Sequence, residues 1–189
     1  MRRNTFIGLS VISCLLLSAV LALGDSKPIL KLNAFAASLE RGKTGTIKID
    51  IYRWSTDEER EALLTTLQEF GQDKLLDTLQ KVRPPVGRIS MPGRLGWDLY
   101  YARNHPNPDG SRRIVVATNR AVAFGEAATN TRSMQYQFTL AEVHLDAEGK
   151  GEGKLVTAAR LSWDKAAKKL EVENYQALPV DLINVSIQK

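Results

Sequence analysis

Histidine is the usual general base and metal ligand near neutral pH, and the chain has two, His105 and His144. His105 stands in Asn104-His105-Pro106, which reads as loop. His144 sits between Val143 and Leu145 in a strand-like run, so alternation turns it away from them, toward solvent. Asp98 and Asp109 are the carboxylates nearest His105 in sequence, and no spacing joins them into a catalytic group. The metal motifs are missing: there is no HExxH and no Cys/His cluster, so no metal site is expected. Asp146, Glu148 and Glu152 lie among glycines and invite calcium, but they break the EF-hand pattern and Lys150 and Lys154 oppose a cation. That stretch reads as a solvated hairpin turn. There is no GxSxG elbow and no SxxK, and Ser133, after Arg132, has no identifiable base. Glycines 149, 151 and 153 lack the GxGxxG spacing and no helix follows them, so a dinucleotide fold is rejected and no cofactor is expected. Paired carboxylates leave no spacing signature, so Asp98, Glu126 and Glu142 stay open for hydrolysis without support.

Arginine is the residue type whose placement says most. Residues 83–132 hold eight arginines (83, 88, 94, 103, 112, 113, 120, 132), no lysine, and only Asp98, Asp109 and Glu126 against them. A planar guanidinium suits carboxylates and phosphates, so such a segment can build an anion-binding face. Trp97, Tyr101, Arg103, Arg112 and Arg113 form the candidate ligand-binding set. They lie on two strands joined by a loop at 104–111. If those strands pair, Arg103 and Arg112 approach near the loop and need an acid between them, Asp109 or a bound anion. The plainer reading of the same run is solvated strand positions with local ion pairs, since charge runs are usually surface. Aromatics interleaved with arginine also stack single-stranded nucleic acid. Export and a small net charge argue against that use, and no nucleic-acid partner is expected.

Export is read from residues 1–24. Arg2 and Arg3 head an apolar run to Leu23, and Ala22-Leu23-Gly24 offers small residues at the −3 and −1 positions of a cut after Gly24. Two rivals are an uncleaved anchor and lipidation at Cys14, since Val11-Ile12-Ser13-Cys14 resembles a lipobox. Under all three the domain ends outside the cytoplasm, periplasmic or secreted, with the leader as its one membrane segment. Residues 25–189 are then a single 165-residue domain with no cysteine, no disulfide and a formal charge of +3 (24 basic, 21 acidic).

The elements that would position these groups follow from periodicity. Residues 25–44 resist assignment and could hold a short amphipathic piece. Residues 45–54 alternate Ile47, Ile49 and Ile51 against Lys48, Asp50 and Tyr52, a half-buried strand. Ser55 with Glu58 reads as a capping box. It opens a helical hairpin at about 55–82, broken at Gly71, recapped by Asp73 and ended by Pro84-Pro85. Its leucines, among them Leu63, Leu64, Leu67, Leu75 and Leu79, are core packing first and a partner groove second. Strand patterns follow at 95–101, 112–119, 122–124, 135–145, 155–163, 170–175 and 180–187. The apolar phase shifts in 135–145, which predicts a bulge near Ala141-Glu142. Residues 146–154 read as a glycine-rich turn. The fold class is α+β: six to eight mostly antiparallel strands, a sandwich or open barrel-like meander, with the helical hairpin inserted after the first strand.

The blocks Gly45-Thr46-Ile47-Lys48-Ile49, residues 53–60, Asp98-Leu99-Tyr100-Tyr101-Ala102-Arg103 and Gly149-Lys150-Gly151-Glu152-Gly153-Lys154 carry a resemblance. The chain resembles an uncharacterised family of secreted bacterial proteins. The resemblance implies export and carries no activity or site residue, the family's function being unknown. The expected function is a non-enzymatic periplasmic or secreted binding module for a small anionic ligand or an acidic partner surface. The alternatives are a cell-envelope hydrolase using carboxylates and a structural envelope protein that pairs through a β edge. Ligand identity and oligomeric state stay open.

Overall fold

A computed structural model of the chain describes residues 27–38, 43–93, 95–121, 135–175 and 178–188. The leader with Cys14, Arg94, the expected strand at 122–124, Glu126, Arg132 and Ser133 lie outside them. Among the described residues, ten strands and one helix follow in the order β1 (Leu30–Ser38), β2 (Lys43–Ile51), α1 (Asp57–Leu79), β3 (Gly87–Ser90), β4 (Trp97–Leu99), β5 (Tyr101–Pro106), β6 (Arg112–Thr118), β7 (Phe138–Leu145), β8 (Lys150–Asp164), β9 (Lys169–Asn174) and β10 (Val180–Ile187). All pair antiparallel in one sheet, β4-β3-β2-β1-β10-β8-β7-β6-β5, with β9 on the far half of β8. The two ends of that sheet, β4 and β5, are separated in sequence by Tyr100 alone, whose N–H donates to Ala117 O at 3.0 Å. The ends therefore meet, and the sheet rolls into a nearly closed barrel.

The alternation that marks β2 is the reason it closes this way. Ile47, Ile49 and Ile51 point inward and are buried, as are Ile114 and Val116 of β6 and Val143 and Leu145 of β7. Every strand but β9 sends a side chain into this core, so the barrel interior is filled. The segment that sequence left unassigned becomes β1, whose inward residues are Leu32, Ala34 and Ala36. Small inward side chains let facing strands approach. Closest approach is at β8, where a Cβ on Gly151 would stand 1.8 Å from His144 O and one on Gly153 2.3 Å from Glu142 O. The expected turn at 146–154 is thus shorter: Asp146 Oδ1 accepts from Lys150 N at 2.8 Å, and Gly151 and Gly153 belong to the strand.

A single helix stands where a helical hairpin was expected. Gly71 interrupts it with φ 78° and ψ −172°, a conformation open to glycine, and the chain turns helical again beyond it. The capping box sits one residue later than expected, on Thr56 and Glu59: Glu59 N donates to Thr56 Oγ1 at 3.2 Å, and Thr56 N donates to Glu59 Oε2 at 2.9 Å. Ser55 cannot cap, because it is buried against β5. Its N–H donates to Ala102 O at 2.8 Å, and its Oγ accepts from Ala102 N at 3.1 Å.

The helix lies on the outside of the barrel. Leu67, Leu75 and Leu79 pack there with Tyr100, Phe138, Ala159 and Leu161 as a second core. This second core corrects the bulge expected at Ala141-Glu142. Along β7, Phe138 and Leu140 face the helix while Ala141, Val143 and Leu145 face the barrel, in unbroken alternation from Phe138 on. The register slip belongs to β8, where Phe138 pairs with Ala159 but Leu140 with Val156. Beyond Ala159, β8 runs on with β9 as a two-stranded arm. Gln72, just past the kink, ties this arm down. Its Oε1 accepts from Leu161 N at 2.9 Å and its Nε2 donates to Gln135 O at 2.7 Å.

Candidate functional site

Strand parity decides which charged side chains meet. In the β5–β6 hairpin Tyr101 pairs with Ala117, Arg103 with Val115 and His105 with Arg113. These residues share the outer face, beneath α1. Their sequence neighbours Ala102, Ile114 and Val116 fill the barrel. The hairpin turn is tighter than the loop expected at 104–111. β5 continues through Pro106, Asn107 N donates to Ser111 O at 2.8 Å, and Asp109 Oδ1 accepts from Ser111 N at 2.9 Å. His105 is therefore a strand residue, opposite a guanidinium.

At the start of α1 the charges are committed to holding the helix. Arg53 clasps Glu59 with both ends of its fork, at 2.8 and 2.9 Å. Those hydrogen bonds, aided by the Thr56 N–H, hold the Glu59 carboxyl below its usual range. Arg103 donates to Ser55 O at 3.0 Å and to Asp57 Oδ1 at 2.8 Å, fastening the first turn of the helix to β5. Arg113 is exposed and meets Glu142 Oε2 at 3.4 Å, while the other Glu142 oxygen lies 2.7 Å from His144 Nε2.

Between the first half of α1 and the outer face of β5–β7, with the β8–β9 arm on its far side, runs a groove of about 370 Å³. Its walls are apolar, with Leu63, Leu64 and Leu67 from the helix and Val115, Ala117 and Leu140 from the sheet. Among the described residues its charged lining is wholly basic: Arg60, Arg113, Lys168 and Lys169, with His105 beside them and no aspartate or glutamate. The electrostatics register this. Desolvation and then the fields of Arg113, Arg103 and Arg60 push His105 below the usual histidine range, and Glu142 opposes weakly. Burial raises the Tyr101 phenol against the same arginines.

The expected set is thus divided. Tyr101 and Arg113 line the groove, and Arg103 adjoins it but is engaged with Ser55 and Asp57. Arg112 does not approach Arg103. It pairs with Pro106 and Leu145 on the opposite face of the hairpin, and Asp109 is held by Ser111 rather than between arginines. Trp97, on β4 opposite Ile89, packs against the barrel core. Other arginines of the basic run make local contacts. Arg83 stacks over Tyr100 at 5.2 Å from the ring centroid, and Arg88 lies 4.0 Å from Asp98. Sequence reasoning missed Arg60, Lys168 and Lys169, and it set His105 in a loop outside the ligand-binding set. Arg60 was findable, since residues 60, 63, 64 and 67 share one helical face.

A larger hollow of about 670 Å³ lies at the Gly71 kink, but amides and polar groups such as Gln68, Gln72, Gln135 and Ser162 dominate its polar lining, and Asp73 offsets its cations. Among the described residues no three His, Cys, Asp or Glu side chains gather to hold a metal, and no helix is long and apolar enough to cross a membrane. Comparison with known proteins found no match to the chain among family models, curated proteins or solved structures.

Proposed function

We propose that the chain is an exported, non-enzymatic binding module for an anionic ligand, and that its site is the groove under α1. One observation carries this reading: Arg60, His105 and Arg113 converge on a concavity that, among the described residues, has no carboxylate in its lining. A carboxylate-based hydrolase needs the opposite, two acids facing one another in a cleft. Asp98 lies on β4 beside Arg88, and Glu142, in register with Val115, is shared by Arg113 and His144 rather than faced by a second acid. The Arg113–Glu142 pair is long and nearly half exposed, so an incoming anion can compete for the guanidinium at small cost. A structural role through a β edge has less support, because β9 carries Lys169, Glu171 and Glu173, the charges that normally discourage edge pairing.

The test is titration with inorganic phosphate, followed by the ring signals of His105 and by calorimetry, in wild type and in three variants. Arg113→Ala and Arg60→Ala should each weaken phosphate binding severalfold, and Arg112→Ala, on the other face, should leave it unchanged. Equal loss in all three would mean diffuse charge attraction and would overturn the site. Wild-type protein that never saturates would overturn the reading itself.

A further inference from the structure

The groove holds more than an anion requires. A site for phosphate or a small acid needs donors and little else, yet here the basic groups stand at the edges of a continuous apolar strip. The sheet register puts His105 and Arg113 near one end of that strip. Val115, Ala117 and Leu140 follow along the outer face, and Leu63, Leu64 and Leu67 cover them from the helix. The strip continues onto the arm through Leu161 and Trp163, and Leu170 on β9 pairs with Trp163. Leu170 remains 42% exposed at the groove. Apolar walls left half open beside a patch of one charge sign match a ligand that is itself divided, with a charged head and an apolar body.

We infer that the ligand is a single-chain alkyl carboxylate, its head held by Arg60 and Arg113 and its chain laid under α1 toward Trp163 and Leu170. This rests on the anion-binding reading above and adds the ligand class. A volume of about 370 Å³ is toward the small end of ligand pockets, roughly 300–1,000 Å³. That size fits one chain and excludes a bulky diacyl lipid. The open side of the groove lets a chain enter laterally, and Lys168 and Lys169 at the arm tip add positive charge around the opening. Arg60 also meets the Glu61 side chain, and Glu142 shares Arg113. Glu61 and Glu142 are the acids that a bound carboxylate displaces from these arginines.

Acetate, butyrate, hexanoate, octanoate and decanoate, measured by calorimetry against the full chain below their micellar concentrations, test the inference. Dissociation constants should fall by about fourfold per two to four carbons at least, approaching roughly fourfold per methylene if each is fully buried, and then level off once the chain outgrows the groove. Val115→Trp, which fills the floor, should abolish the gain with chain length, read as the ratio of octanoate to acetate affinity. Leu64→Gln, at a half-buried helix position, is the milder second variant and should reduce the gain without removing it. If octanoate binds no tighter than acetate while phosphate still saturates, the ligand class is wrong and the anion site stands. Chain-length dependence that survives Val115→Trp places the apolar contact elsewhere and overturns the inference. If neither phosphate nor any carboxylate binds, both readings fall together.

Discussion

Gly153→Ala probes one of the tightest strand approaches in the barrel with a single methyl. Gly153 lies in β8 between Val143 of β7 and Leu182 of β10, so neither neighbour can retreat without disturbing its own ladder. The added Cβ would stand 2.3 Å from Glu142 O and 3.1 Å from Val143 Cα and Cγ2. Relief to about 3.0 Å needs roughly 0.7 Å of backbone movement in a central strand, against interiors packed like organic crystals. Overpacking of this kind costs about 1–3 kcal/mol, and stretching one or two ladder hydrogen bonds adds about 1 kcal/mol. The expected loss is therefore about 2–4 kcal/mol, which lowers Tm by about 5–12 °C for a chain of this size. Gly45→Ala is the control. Nothing lies within 4 Å of its Cβ position, and alanine there should be neutral or stabilising by up to about 1 kcal/mol. Urea denaturation followed by the fluorescence of Trp54, Trp97 and Trp163 reads both variants. If Gly153→Ala unfolds within about 0.5 kcal/mol of Gly45→Ala at unchanged m, the strands do not approach as described, and glycine at 153 has no packing role.

Gln72→Ala should cost about 1–3 kcal/mol, because it strips the partner from the Leu161 N–H on the β8–β9 arm, and hydrogen exchange at Leu161 should accelerate. Glu59 has a lowered carboxyl pKa when folded. Its contribution is therefore present above the unfolded value, about 4.5, and lost as pH falls through the folded one. In Arg53→Met the acid limb of the stability–pH curve should flatten, which pH-dependent urea melts will detect. His105 is depressed when folded, so below about 6.5 the unfolded chain binds more protons and His105 weakens the fold on acidification. An NMR titration should place its ring below the usual histidine range, and Arg113→Ala should raise it. A His105 titration unmoved by Arg113→Ala would sever the two sides of the proposed head-group site.

Legibility followed how each element is buried. The strand whose faces read most clearly, β2, has one wet face and one filled face and alternates throughout, and the span 180–187 is that of the observed β10. Where that condition fails, so does the reading. β1 presents Ala34 and Ala36 to the core, too small to stand out against their neighbours. β7 is covered by the barrel on one side and α1 on the other, so its apolar residues change face without any bulge. The site was lost by a finer margin. In a hairpin where His105 pairs with Arg113, residues of one parity share a face, so Arg103 and Arg113 must lie together and Arg112 must lie opposite. That follows from sequence once the turn is fixed at 107–111, and treating 104–111 as loop concealed it. The remaining parts were beyond reach of pattern alone. Lys168 and Lys169 join the groove only because β8 outruns its neighbour β7 and folds back as β9, a tertiary consequence of where Phe138 begins its strand. Local alternation thus finds the walls of this barrel, whereas a site on its outer face depends on register, which a few turn residues determine.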